Sequence, residues 1–191
     1  EMGKSNQKRR IEAAKNSSLK VPPTQAEMLE LHDLWLTNPA SAAGKYIHMA
    51  QTVVNKVELS HYADRNIHGT VFGGTLMRES FELAFCNAYM LCDKSTPRLM
   101  HINDTQFYAP VPYGSILNFT SVVNFIQGEL LSVNVAIDVI DKSAGEAKKT
   151  RTNDFNVVFD IGTEVGTLIP DTYRDAMLYV EGKRKLKSWL H

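Results

Sequence analysis

Cysteine is scarce in this 191-residue chain, where Cys86 and Cys92 are the two present. They lie within an apolar helical run at a spacing that fits neither a zinc site nor the disulfide framework of a small secreted protein. Both read as core residues of a protein in a reducing compartment. Net charge is missing too, since 21 Lys and Arg balance 21 Asp and Glu. The chain as a whole therefore lacks the positive field of a general nucleic-acid binder, and any anion must be gripped locally. No apolar run reaches the roughly 18 residues that a membrane-spanning helix needs. The chain opens on Glu1, not on Met and a hydrophobic or Arg/Ser-rich leader, which reads as an internal segment with any targeting peptide outside it. What is present, at 43% hydrophobic, suffices for one domain with a sizeable core.

Residues 1–23 are charged and polar up to Pro22-Pro23, which stops any helix there. They read as a linker or arm, with Lys8, Arg9 and Arg10 solvated, ahead of a domain over 24–191. Thr24 and Glu27 stand in capping-box spacing before Met28, Leu31, Leu34 and Trp35, which predicts a short amphipathic helix. The stretch 51–59 mixes β-branched and polar residues as a strand does. Residues 72–92 are apolar nearly all round, predicting a helix buried on most of its surface. Four strand-like runs follow, "LMHINDTQFYAPV", "ILNFTSVVNFIQ", "LLSVNVAIDVID" and "TRTNDFNVVFD", with no second long helix expected. Leu131, Val133, Val135, Ile137 and Val139 alternate with Asn134 and Asp138, so the former set shares one face. Gly128-Glu129 and the stretch 142–145 supply turns. The order predicts an α+β fold in which one sheet wraps a long helix, with an edge and an open face that call for a second copy.

The stretch "RNIHGTVFGGTLMRESFELAF" carries the chemistry. The first amides of a helix have no internal acceptor, and Gly73-Gly74 offers no side chain to cap them. Together with the positive end of the helix dipole they make a site for an anion or for a carbonyl oxygen that becomes negative. The plainer role of the glycines is to permit positive φ and close packing. Glu79 and Glu82 lie three apart on one side of the helix. Glu82, flanked by Phe81, Leu83, Ala84 and Phe85, is expected to be partly desolvated, which raises a carboxyl pKa and suits it to base or nucleophile work. The competing role is an Arg78–Glu82 ion pair. Asn66 is positioned to hold a water or a substrate carbonyl, or to serve as a turn residue. His68 reads as a structural donor, because no serine or cysteine stands at nucleophile spacing to complete a triad.

The motif N-x-x-G-x-x-F-G-G, Asn66 to Gly74, leading into a helix with an acidic residue, resembles the active-site signature of hotdog-fold acyl-coenzyme A thioesterases. "FGGTLMRESFEL", "QFYAPVPYGSIL" and the ending "IPDTYRDAMLYVEGKRK" resemble the second half of the mitochondrial tandem-hotdog type, the nine/ten subfamily. The arm "KRRIEAAKNSSLKVPPT" is similar to the connector between its two repeats. The resemblance implies a long helix wrapped by an antiparallel sheet, paired with another hotdog so that the sites lie at the interface. It implies hydrolysis of fatty acyl-CoA to free acid and CoA in the mitochondrion, with no metal and no cofactor beyond the CoA of the substrate. Asn66, Gly74 and Glu82 then take the catalytic positions: Asn66 positions water or carbonyl, the Gly74 amide polarises the thioester, and Glu82 activates water or attacks. His68, Gly69, Phe72, Gly73 and Glu79 are assigned to substrate binding. The chain departs from the pattern where many single-hotdog relatives carry an Asp seven positions after the second glycine, which here is Phe81.

The implied partners are the acyl-CoA substrate and either further copies of this chain, as a homodimer or a trimer of dimers, or a first hotdog domain that this chain does not contain. Two rivals accompany this reading. One is a non-catalytic acyl-CoA-binding half that needs a first domain to supply its acid. The other is a hotdog hydratase or dehydratase, which needs a His beside an acid, and His68 is the histidine within the motif. Lys183, Arg184, Lys185 and Lys187 read either as contacts to the CoA phosphates or as a solvated face.

Overall fold

The computed structural model describes residues 21–36, 45–92, 96–103, 105–141 and 148–190. Most of the arm, and the turn expected over 142–145, lie outside the described residues. Helix α1 (Gln25–Leu36) begins on the expected capping box, with Glu27 N donating to Thr24 Oγ1 and Thr24 N to Glu27 Oε2. Strand β1 (Tyr46–His48) leads through a 3-10 turn into β2 (Val54–Leu59), and the glycine loop opens α2 (Gly73–Leu91). Then come β3 (Arg98–Ile102), β4 (Gln106–Phe107), β5 (Ile116–Gln127), β6 (Leu130–Asp141), β7 (Lys148–Asp160), β8 (Thr167–Ile169) and α3 (Tyr173–Leu190).

An antiparallel sheet in the order β2-β5-β6-β7-β3, with β4 also paired to β7, carries the core, while β1 and β8 form a small parallel pair. Gly128 turns β5 into β6 at φ +61°, where the expected hairpin falls. The run 99–111, read as one strand, is two. Its ladder with β7 ends at Ile102↔Val157 and resumes at Gln106↔Asp154.

Helix α2 lies along one face of the sheet, with Leu76, Leu83, Ala84 and Ala88 buried, and Phe81 and Phe85 meet Phe159 of β7 at ring distances of 6.0 and 6.1 Å. Its outer flank is open: Met77, Tyr89 and Met90 are exposed. So is Cys86, while Cys92 is half-buried. This corrects the expectation of a helix buried nearly all round and of Cys86 as a core residue, because one sheet encloses only one side of a helix, whereas Cys92 packs against the core.

The second correction is α3, a long helix where none was expected. A capping box starts it, with Asp175 N donating to Thr172 Oγ1 and Thr172 N to Asp175 Oδ2. Ala176, Tyr179, Val180 and Leu186 then bury an i, i+3, i+4 stripe. The helix packs on the other face of the sheet, where Tyr179 meets Phe125 edge-on at 5.1 Å and Asn124 Nδ2 donates to the Leu178 carbonyl. Gly182 permits that approach, since a Cβ there would stand 2.7 Å from Asn124 Cγ. With a helix on each face, β6 is buried at Ser132, Asn134 and Ala136 as well as on its apolar row, so both sets of the alternation are inside.

Helix α1 docks onto α3 through ion pairs, Glu27 with Arg184 and Glu30 with Lys183. Lys185 is 3.4 Å from Glu181. Lys183, Arg184 and Lys185 are thus engaged within the chain, which corrects both readings of the basic tail for these three residues.

Candidate active site

The loop from Asn66 to Thr70 is closed by its own asparagine. Asn66 Oδ1 accepts from the amides of His68 at 2.8 Å and Thr70 at 3.2 Å, and Nδ2 donates to Thr70 Oγ1 at 2.8 Å. Two amide donors on one atom fix which end of the carboxamide is oxygen. Its oxygen is thus spent on the loop, and what it still offers is the second Nδ2–H, a donor for a carbonyl. Gly69 stands at φ +76°, a conformation that makes this turn a glycine position.

The chain then enters α2 at an end with no side-chain cap. Thr75 and Leu76 both donate back to the Phe72 carbonyl, so the first two amides, on Gly73 and Gly74, stand at the positive end of a 19-residue helix without a capping side chain. Phe72 lays its ring where a side chain on Gly74 would be, with Cε1 2.4 Å from the position of such a Cβ.

Beside this helix start is a cavity of about 350 Å3, to which Asn66, Thr70, Gly73, Leu76, Phe107 and Asn153 contribute. It brings together Asn66 and Gly73 of the expected site, and Gly74 is the next residue along. His68, Gly69, Phe72, Glu79 and Glu82 do not line it. His68 is exposed and its amide holds Asn66.

The two carboxylates reverse their expected environments. Glu79 is 7% exposed; Lys56 of β2 bonds its Oε2, and Arg78 Nη2 donates to its Oε1 at 2.6 Å. Burial opposes its ionisation, yet the hydrogen bonds from Lys56 and Arg78 outweigh burial and hold the carboxyl below its ordinary range. Glu82 is exposed on the open flank of α2, which corrects the expectation of partial desolvation. Arg78 bonds Glu79 in place of the expected i, i+4 pair with Glu82. Phe81 packs against Phe85 and Phe159.

Three residues escaped the sequence reading. Lys56 anchors Glu79, and nothing in the sequence pairs a strand lysine with a helix glutamate far along the chain. Tyr108 lines the cavity and donates to Asp154 Oδ2 at 2.8 Å; burial, with the Asp154 charge, pushes its phenol well up. Asn153 is the polar first member of an alternating row continued by Phe155, Val157 and Phe159, a pattern visible in "NDFNVVF". Among the described residues no group of three His, Cys, Asp and Glu side chains could hold a metal ion, and no helix is long and apolar enough to cross a membrane.

No protein-family model matches the chain. It is 33% identical, over 97% of its length, to acyl-coenzyme A thioesterase 10, mitochondrial, of Mus musculus, and spans 44% of that relative. In structure it is similar to an acyl-CoA hydrolase from Staphylococcus aureus solved in complex with butyryl coenzyme A, coenzyme A and coenzyme A disulfide. That likeness has a TM-score of 0.69 at 19% identity and covers 76% of this chain and 90% of that one. A hexameric hotdog fold thioesterase of Campylobacter jejuni aligns with a TM-score of 0.51 at 18% identity, covering 65% of this chain and 93% of that one. Helix-in-sheet architecture, the Asn-to-Gly-Gly loop and the match to the thioesterase sequence agree: the chain is a hotdog-fold homologue of the acyl-coenzyme A thioesterases.

Proposed function

We propose that this chain is an acyl-CoA thioesterase domain that hydrolyses fatty acyl-CoA to the free acid and CoA in the mitochondrion. The observation that carries the reading is the uncapped Gly73-Gly74 helix start beside a cavity that Asn66 also lines. The thioester carbonyl accepts from the helix amides, and the free Nδ2–H of Asn66 adds a second donor. Both bonds strengthen as the oxygen becomes negative during attack by water, and the CoA thiolate then leaves.

The base must remove a proton from that water. Glu79 is held ionised by Lys56 and Arg78, an arrangement that weakens it as a base. Glu82 of a second copy is the better candidate, because the exposed flank of α2 presents it outward. Leu99, Met100 and Ile102 are exposed on β3, which pairs with β7 on one side only, and this gives that copy an apolar surface and a strand edge to join. Covering by the partner then supplies the desolvation that a single chain does not give Glu82.

A second reading is favoured by Phe81, which takes the place of the usual acid and is packed into the aromatic cluster. In it the chain binds acyl-CoA and polarises the carbonyl, while a different hotdog domain supplies the carboxylate. Steady-state hydrolysis of a series of acyl-CoAs, followed with a thiol-trapping reagent, separates the two. Turnover that falls about a hundredfold in both Glu82→Gln and Asn66→Ala, as loss of a general base or donor does, supports the first. A chain that binds CoA without turnover supports the second, and a chain that neither binds nor hydrolyses overturns both.

A further inference from the structure

A buried carboxamide without partners lies against the cavity. Asn153 is 1% exposed, and neither its Oδ1 nor its Nδ2 has a hydrogen-bond partner. Two other buried asparagines are treated differently. Asn87 Nδ2 donates to the Thr52 carbonyl and to Ser121 Oγ, while Asn156 Nδ2 donates to Ser132 Oγ and the Val133 carbonyl, and its Oδ1 accepts from Asn103. Leaving such a group unpaired is costly, because the hydrogen bonds it made to water are lost and nothing replaces them. Strand pairing aims Asn153 at the helix side, since it stands opposite Ile137 of β6 and, on the other flank, Phe107 of β4. An apolar residue continuing the row of Phe155, Val157 and Phe159 would fill that place without penalty.

We infer that Asn153 is a ligand-binding residue of the thioester cavity, pairing with a ligand group that both donates and accepts a hydrogen bond. The inference rests on the proposed function and deepens it. A thioester carbonyl only accepts and an alkyl chain does neither, so neither satisfies both atoms of Asn153. A secondary amide of the CoA pantetheine arm does, and so does a hydroxyl on the acyl group. A cavity with such a group discriminates strongly against ligands that lack the matching one, because binding them leaves the carboxamide buried and unpaired.

The test uses the full chain and two variants, Asn153→Leu, nearly isosteric and apolar, and Asn153→Ala. Binding of coenzyme A, butyryl-CoA and 3-hydroxybutyryl-CoA is titrated calorimetrically, and the Tm of each chain is recorded without ligand. The expected result is a Tm of Asn153→Leu equal to or above that of the wild type, with affinity lower by about tenfold, a loss typical of one buried hydrogen bond. Loss across all three ligands assigns the partner to the pantetheine amide, and loss confined to 3-hydroxybutyryl-CoA assigns it to the acyl hydroxyl. Unchanged affinities, or a Tm lowered in both variants with binding intact, overturn the assignment and make Asn153 structural. A wild-type chain that binds none of the three overturns the proposed function itself, an outcome distinct from wild-type binding that Asn153→Leu leaves untouched.

Discussion

Glu79 and Glu82 stand three residues apart on α2 and on opposite sides of the solvent boundary, the first buried between Lys56 and Arg78 and the second exposed on the open flank. Sequence spacing alone puts them together. The sheet separates them, because β2 passes beside Glu79 and brings Lys56 with it.

Substitution separates the two roles. Glu79→Gln removes the charge between two cations and lowers stability by about 1.5–3 kcal/mol, the scale of a hydrogen bond to a charged group. Glu82→Gln leaves stability within about 0.5 kcal/mol of wild type, as surface changes do, and acts on turnover. Chemical denaturation of both variants beside a hydrolysis assay checks the division; a Glu82→Gln chain that unfolds more easily than Glu79→Gln reverses it.

Gly182 sits in the middle of α3, where helix propensity alone favours alanine by about 1 kcal/mol. Packing overrules propensity here, because the new Cβ would lie 2.7 Å from Asn124 and 2.9 Å from Phe125 Cβ. Gly182→Ala is therefore expected to destabilise by about 1–3 kcal/mol, the usual cost of overpacking. A higher Tm for the variant would show that the sheet gives way easily at the irregular step between Val123 and Phe125.

The docking of α1 on α3 carries a pH signature. Hydrogen bonds from Arg184 lower the Glu27 carboxyl from its ordinary value to about 2. A depressed folded pKa contributes stability that is complete above the unfolded value, near 4.5, and is lost as pH falls through the folded one. Wild type should exceed Glu27→Gln in stability by about 1 kcal/mol at neutral pH, the upper range for a partly exposed pair. The gap should close between pH 4.5 and 2. Thermal melts of both chains across that window measure it, and a gap that persists at pH 2 contradicts it.

Much of this architecture was legible because local signals and packing agree. The Thr24–Glu27 capping box, the turn at Gly128 and the uncapped Gly73-Gly74 helix start all fall where residue chemistry puts them. Helix α3 was missed although Thr172 and Asp175 announce its start. Its stripe is interrupted by Gly182 and set among Arg174, Lys183, Arg184, Lys185 and Lys187, and the partners of Lys183 and Arg184 on α1 are remote in sequence. The site was half legible for the same reason. Asn66 and the glycines are neighbours along the chain, whereas Lys56, Tyr108 and Asn153 reach the site through strand register, which a linear reading does not supply.

The central claim is that a complete site joins Asn66 of one copy to Glu82 of another. Asn66→Ala and Glu82→Gln chains, each inactive alone, should be unfolded together, refolded as a mixture and assayed for acyl-CoA hydrolysis. In a two-fold dimer the mixed pair holds one doubly altered site and one intact site, so the account predicts recovery of about a quarter of wild-type activity. A mixture as inactive as its parts, from chains shown to exchange, would contradict it and place the base elsewhere.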